Sequence, residues 1–568
     1  METKTACLLI LLLLAGSQFS IYPSTLLTPN TWSMAAEFDA VIHQGPLGSE
    51  DVRFGRNVNV IDGSSPYSHQ VEPTMTILSS GRILVGWKEA PEPAGPGYRV
   101  GFAYSTDTGQ SFSSNILVAP TEPGRHQSDP WLVSDHQDHV YFVFLDFFSD
   151  TDSGIGVAKT LDGGDTWLPT VDASDTVGFD DKETACVDPA GNLYIVWDEY
   201  DTVNHLRFTK STDGGQTFIP TTSPFQPYIP YIASAHNGTL YVATGGWYSL
   251  SGPPGDRIWI ARSDDGGTTW TPQIVVTPLI YDETAIIHVV DTDTLGNVYV
   301  AYAAGTATNK DIYVTKSTDG GFFWDTPVRV NTVTAGMQRM VEMTIDDENT
   351  IHVAWLDAQH DEWNIYYSYS NDSAATFAPN VRVTTEGTPL SYWRPGDYFT
   401  MRIGPQGRVH IVWTDGRGED QDIYYAKQDL APPTAVHTPV MTWYHNTPLT
   451  LTISVSDDDY AEGVDVLYRD STGSTWTSRI MEKIDATTFL YTIPAIEIVN
   501  PFLEYYFIAK DGAGRETRLP GSDTDTFPVN ILPINPTLIG IIIGASLIIT
   551  VVIIVAYWYL RRPPHPSQ

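Results

Sequence analysis

The sequence predicts an all-β chain: a seven-bladed β-propeller, with six blades as the alternative, followed by a small β-sandwich and one transmembrane helix. Three observations predict it. An eight-residue pattern, S/T-x-D-x-G-x-[ST]-[WF] with slips, occurs six times; a second repeated strand precedes each copy; and an uncharged apolar run lies near the C-terminus. The pattern runs Ser105 to Phe112, Thr160 to Trp167, Ser211 to Phe218, Ser263 to Trp270, Ser317 to Trp324 and Ser370 to Phe377. Its aspartates are Asp107, Asp162, Asp213, Asp265, Asp319 and Asp372, at steps of 55, 51, 52, 54 and 53 residues. A period of this size marks stacked supersecondary units, each too small to bury its own apolar face.

Each copy sits between two short apolar strands, as between Ile312-Tyr313-Val314 and Val328-Arg329-Val330, so it is read as a hairpin turn. The Asp accepts backbone N–H bonds, the Gly supplies a positive φ, and the Trp or Phe packs on neighbouring strands. These are structural roles.

The second element is a polar turn and an apolar strand, often ending in Trp. It occurs seven times, from Gly81 to Trp87 through Val140 to Phe144, Asn192 to Trp197, Thr239 to Thr244, Asn297 to Tyr302, Thr350 to Trp355 and Arg408 to Trp413. The seventh unit ends at Asp429-Leu430 without a fourth strand. Asn57-Val58-Asn59-Val60 matches the strands after boxes five and six, Pro327 to Val330 and Asn380 to Val383, and is expected to close the last blade. Such closure removes exposed sheet edges.

The repeated turn resembles the Asp-box, or BNR, repeat of sialidases and their relatives, over about residues 50–430. In that family the boxes lie on the propeller face away from the catalytic site. The resemblance implies an arginine clamp on a substrate carboxylate, a Tyr nucleophile activated by a Glu, and an Asp acid/base. Arg339, Arg394 and Arg417 are the clamp candidates, Tyr398 or Tyr392 the phenol, and Asp129 or Asp181 the acid. The family's Phe/Tyr-Arg-Ile/Val-Pro segment has its nearest match in Tyr98-Arg99-Val100-Gly101, which lacks the Pro. The segments Gly396-Asp397-Tyr398 and Trp413 to Arg417 look like those of secreted sialidase-like BNR proteins of unassigned activity, the group this chain fits better than the enzymes.

Inner strands enter a propeller from the face to which the second strands deliver their ends, so chemistry is expected there. Carboxylates follow the second strand in five of the seven units, and the binding candidates on this face are Asp146, Asp198, Asp357, Asp397 and Asp415. Two roles are open to them: a carboxylate ring that holds a sugar or a cation, or caps on loop N–H groups. The expected function is a surface module that binds glycan or protein at this face; the alternative is a surface glycoside hydrolase of exo-sialidase type.

The 68 acidic and 31 basic side chains give a net charge of -37, which argues against a nucleic-acid partner. Residues 1–20 read as a secretory signal. Thr537 to Leu560 supplies 24 uncharged residues, about 36 Å as a helix, against a bilayer core of roughly 30 Å. Arg561-Arg562 follows, placing the tail 561–568 in the cytoplasm and the rest outside. Gly540 and Gly544 form a GxxxG that offers a weak homodimer contact. Beyond Cys7 in the signal only Cys186 remains, so no intrachain disulfide is expected and a prokaryotic or archaeal envelope is the expected setting. Residues 435–530 carry strand-like runs whose last, Glu504 to Ala509, resembles fibronectin type III or Ig-like stalk modules when read with Lys510 to Gly514. No cofactor is expected, with structural calcium at Asp457-Asp458-Asp459 as the open possibility.

Overall fold

The computed structural model describes residues 52–63, 65, 67–90, 97–149, 151–175, 178–200, 204–222, 229–245, 257–277, 288–306, 308–391, 396–418, 420–470, 473–533 and 546–556. The signal segment 1–20, Tyr392, Arg394, Gly540, Gly544 and the tail 561–568 lie outside them.

The described chain is predominantly β. Between residues 52 and 430 it forms seven small antiparallel sheets in succession, six of them a meander of four consecutive strands. The first strands are His69–Ile77, His126–Ser134, Phe179–Val187, Pro230–Ser234, His288–Thr292, Gln338–Ile345 and Thr400–Ile403. Each touches the next in this order, and Thr400–Ile403 returns to His69–Ile77, so the circuit closes.

The seventh sheet takes its outer strands from the other end of the chain. Asp422–Asp429 pairs with Val58–Asn59, in register Val58 to Tyr425 and Asn59 to Tyr424, and further along with Arg53–Phe54. Asn57 repeats what Asn380 does one sheet earlier. Asn380 Oδ1 accepts from the Thr332 N–H at 2.7 Å and its hydroxyl at 2.9 Å, while Asn57 Oδ1 accepts from the Thr385 N–H at 2.6 Å and its hydroxyl at 2.9 Å.

Apolar side chains fill the space between neighbouring sheets. Phe102 and Leu84 of the first sheet meet Phe142 and Val140 of the second, and Val412 and Tyr425 of the seventh meet Met75 and Trp87 of the first. At about 25 cal/mol per Å² this burial is the main force holding the circuit together.

All six boxes share one internal architecture, except that the fifth lacks the last hydroxyl bond because Phe323 stands at that position. In the second, Thr160 Oγ1 donates to Asp162 Oδ1 at 2.7 Å and accepts from the Gly164 N–H at 2.9 Å; the Thr166 N–H and hydroxyl donate to the same carboxylate at 2.9 and 2.5 Å. The Thr166 and Thr160 bonds hold the Asp162 carboxyl at about 2. Gly164, at φ 96°, lies where a Cβ would come 3.1 Å from Leu84, and Trp167 packs on Phe102 with ring centroids 5.1 Å apart. The sixth box, which carries Ala374 in place of the glycine, still adopts φ 63°.

After residue 430 the chain builds two further sheets over one apolar core that includes Leu451, Ile453, Val466, Tyr505 and Phe507. Leu449–Ser456 alternates buried and exposed along its whole length, the pattern of a strand with one face on a core and one in water. The helix over 546–556 is the only α-helix among the described residues, and no helix there is long and apolar enough to cross a membrane.

Candidate functional site

Four of the inner strands carry the same distortion near their start. Glu72, Asp129, Lys182 and Met340 have φ of 57°, 49°, 56° and 52°, and the pairing register slips there, between Val71 and Thr74, Ser128 and Trp131, Asp181 and Thr184, and Arg339 and Glu342. A bulge of this kind re-aims a side chain, and a non-glycine residue in the left-handed region stores about 1–3 kcal/mol of strain.

The bulges bring Glu72, Asp129 and Lys182 together with Asp397. Lys182 Nζ donates to Asp129 Oδ1 and, at 2.8 Å, to Asp397 Oδ2. Lys88 Nζ stands 3.2 Å from Glu72 Oε2, and the Ser128 hydroxyl donates to Asp129 at 2.6 Å. Glu72, Asp129 and Asp397 each offer an oxygen within 4.8 Å of the others, and all three are buried. Three inner strands and the segment leading into a fourth thus converge here, with Lys88 joining from the strand beside Glu72.

The environments of these groups differ. Burial lifts Glu72 to about 7 although Lys88 opposes it, and lifts Asp181 to about 6 against Lys182. Asp129 is equally buried, yet Lys182 and Lys88 outweigh desolvation and hold it well below the usual carboxylate range. Glu183 is pushed far up by burial, and Glu342 to about 8, with only the Arg402 guanidinium and the Met401 N–H opposing. His288 is depressed to about 4 by burial and is therefore neutral at pH 7. The site contains one carboxylate held in its charged form beside others that burial pushes toward their neutral form.

A cavity opens on this cluster. Asp129, Lys182, Glu183, Glu342 and Asp397 line it with Trp131, Tyr231, Tyr398 and His288, and its 30 Å³ holds about two waters. A wider space of 330 Å³ is lined by later parts of the inner strands, including Ser134, Cys186, Asp291 and Arg402. Trp131 and Tyr231 line both and meet edge to face at 5.6 Å, so they form the partition.

Of the residues expected to act, Asp129, Asp181, Asp397 and Tyr398 gather at this cluster. The Tyr398 hydroxyl donates to the Pro130 carbonyl at 2.9 Å, and burial pushes its ionisation far up. Arg339 lies over the Trp363 ring at 4.5 Å; Arg417 pairs with Asp415 at 2.6 Å and lies over Tyr424 at 4.2 Å. Neither lines the cavity, and no arginine does so among the described residues.

The other expected carboxylates bond within their own neighbourhoods. Asp357 accepts from Trp355 Nε1 at 3.1 Å and the Gln359 N–H at 2.9 Å; Asp415 accepts from Trp413 Nε1 at 2.9 Å. Asp146 accepts from the Thr121 N–H at 2.9 Å and faces Arg125 at 3.4 Å, and Asp198 meets the Tyr200 hydroxyl.

Lys182, Lys88 and Glu342 belong to the site but were not among the residues expected from the sequence. A signal for Lys182 was available. Glu72, Asp129, Lys182, Met340 and Tyr398 each precede the aromatic end of the following strand, Trp87, Phe144, Trp197, Trp355 or Trp413, by the same 15 residues.

No model of a known protein family matches the chain, and no curated protein sequence is similar to it. Solved structures do resemble it at low identity. A protein of unknown function from Dyadobacter fermentans is 16% identical, with 67% of this chain and 99% of that one covered and a TM-score of 0.44. The Hadza microbial sialidase Hz136 is 16% identical, with 52% and 65% covered and a TM-score of 0.39. An α-L-arabinanase from Penicillium chrysogenum, complexed with arabinobiose, is 14% identical, with 66% and 98% covered and a TM-score of 0.42.

Proposed function

We propose that residues 52–430 form a seven-bladed β-propeller, displayed outside a membrane and anchored through Thr537 to Leu560, that recognises glycans at the mouth where Glu72, Asp129, Lys182 and Asp397 converge. One observation carries this reading: charged groups of both signs, Glu72, Asp129 and Lys182 at strained bulges of three inner strands and Asp397 just before a fourth, meet at the rim of a cavity walled by Trp131, Tyr231 and Tyr398. Fixed donors and acceptors beside aromatic faces suit a polyhydroxylated ligand, whose hydroxyls need both and whose ring faces are apolar. The Asp-box resemblance supports the same class of ligand.

A second reading, hydrolysis, is favoured by a specific pair. Asp129 is held ionised, while Glu72, at about 7, carries a proton through half the neutral range, and their oxygens lie within 4.8 Å. Retaining glycosidases hold their two carboxyl groups roughly 5–5.5 Å apart, and these two are brought at least that near. In this reading Glu72 is the acid and Asp129 the nucleophile, a different chemistry from an arginine-clamped exo-sialidase.

The test is a glycan array together with a panel of aryl glycosides and a fluorogenic sialoside, using the full chain in mild detergent. Binding without turnover, weakened in Lys182→Met, supports recognition. Turnover lost in Glu72→Gln and Asp129→Asn, but kept in Arg339→Ala and Arg417→Ala, supports the Glu72–Asp129 pair. A wild-type chain that neither binds nor cleaves any member of the panels refutes both readings.

A further inference from the structure

The cavity at the charged cluster is lined by four carboxyl groups, Asp129, Glu183, Glu342 and Asp397, and by one cation, Lys182. Lys182 is already engaged by Asp129 and Asp397. Glu342 faces Arg402 only at 3.9 Å, and Glu183 has no ion pair among the described residues.

Both oxygens of Glu183 and both of Glu342 lack a donor in bonding geometry, the nearby Glu183 and Met401 N–H groups included. His288 Nε2 is bare as well. The Ala243 carbonyl accepts from the His288 ring, so the proton sits on Nδ1 and Nε2 presents a lone pair. These three residues come from three sheets, none is more than 3% exposed, and each lines the cavity. Unmet buried acceptors are unfavourable until a donor reaches them.

The facing wall is aromatic. Trp131 meets Tyr231 at 5.6 Å and 87°, and Tyr398 at 5.9 Å and 62°, so the rings form corners. Trp131 Nε1 donates to the Ala185 carbonyl at 3.1 Å and the Tyr398 hydroxyl to that of Pro130, so what these two offer the cavity is ring surface. Unmet acceptors beside π faces select a positively charged donor. An ammonium has three N–H groups and no acceptor, and aromatic faces attract it.

Burial raises both glutamates while they stand unpaired. An ammonium in contact supplies the counter-charge that keeps such a group ionised, as Lys182 does for the equally buried Asp129. A metal ion does not suit the lining, because Glu183, Glu342 and His288 do not bring ligand atoms within 4.8 Å of one another as Glu72, Asp129 and Asp397 do. An organic head suits that spread better, its charge extending over the nitrogen and the carbon beside it. The 30 Å³ is room for about those two heavy atoms.

We propose that this cavity receives an ammonium group, and that the ligand of the mouth is a glycan carrying a free amino group in place of an N-acetylated one. The sugar rests on the glycan reading above; the amine rests on the cavity alone.

Titration calorimetry of the full chain in mild detergent and about 0.15 M salt tests it, with methyl β-glucosaminide, its N-acetylated counterpart and methylammonium chloride as probes. The free amine should bind at least about tenfold more tightly than the N-acetylated sugar, a preference lost in the Glu183→Gln/Glu342→Gln double variant and kept in Asp213→Ala. Methylammonium should raise the melting of the wild type above that in equal sodium chloride, and should not do so in the double variant. Where the double variant fails to fold, the same two readouts are taken on Glu342→Gln, in which both should shrink. Equal affinity for the two sugars overturns the proposal, as does a preference for the amine that survives in the glutamine variants, the mark of attraction to the acidic surface at large. Methylammonium binding with neither sugar bound keeps the ammonium site and removes the glycan reading, whereas sugar binding without preference does the reverse. A wild type that responds to none of the three probes overturns it too.

Discussion

Glu342 offers a direct measurement of the site's electrostatics. Its side chain is 2% exposed, and the nearest cation, Arg402, is 3.9 Å from Oε2. Burial raises its carboxyl from 4.5 to about 8. A folded-state value above the unfolded one contributes stability that is complete below the unfolded value and is lost as pH rises through the folded one. The window is therefore about pH 4.5 to 8, with a slope of about 1.4 kcal/mol per pH unit and a total on the order of 4–5 kcal/mol. Glu342→Gln is neutral at every pH and should lose none of this. Wild type and variant should melt together near pH 5, and the variant should melt several degrees higher at pH 9. Glu72 and Asp181 titrate in both chains, so the difference curve isolates Glu342. Parallel melting profiles from pH 5 to 9 would refute the assignment of a buried neutral acid at this position.

Lys182→Met should be among the most damaging single changes, because it leaves Asp129 and Asp397 buried without their ammonium. Breaking such a pair costs about 3–5 kcal/mol, and adding Asp129→Asn should return part of it, a coupling that urea unfolding of the single and double variants would measure. Asp213→Ala removes an acceptor of the Thr217 N–H and hydroxyl and of the Ser211 hydroxyl at an exposed turn, so melting should fall by a few degrees at pH 7 while glycan binding is unchanged. Its carboxyl is lowered to about 2, mainly by the Thr217 hydroxyl, so this contribution is present above about pH 4 and vanishes as pH falls through 2. Altered glycan binding in Asp213→Ala would place the boxes at the ligand site.

What could be read in advance was whatever the chain encodes locally. Each box contains its own donors and acceptors within seven residues, so its turn follows from composition and spacing. The match of Asn57 to Asn380 was legible because both side chains perform one local task at two places in the circuit. The end-of-strand acids were ambiguous for the opposite reason: Trp355 with Asp357 and Trp413 with Asp415 form two-residue ties that explain those carboxylates without a ligand. The channel cluster depends on groups from four sheets, and strand period alone does not tell which side of a bulge points inward. Lys182 went unremarked because the expectation sought acids at its position, whereas the structure places a cation between them.

The pairing of Val58–Asn59 with Asp422–Asp429 sets Val58 opposite Tyr425 and ties the Asn59 side chain to Asp422, 363 positions along the chain. Ribosomes release the latch long before its keeper. Until residue 429 has emerged, the nascent arc has an unzipped rim at each terminus, and rims of that kind recruit stray strands. Closure therefore waits on the synthesis of residue 429, and a chain cut anywhere upstream of its keeper is left as an arc that cannot shut.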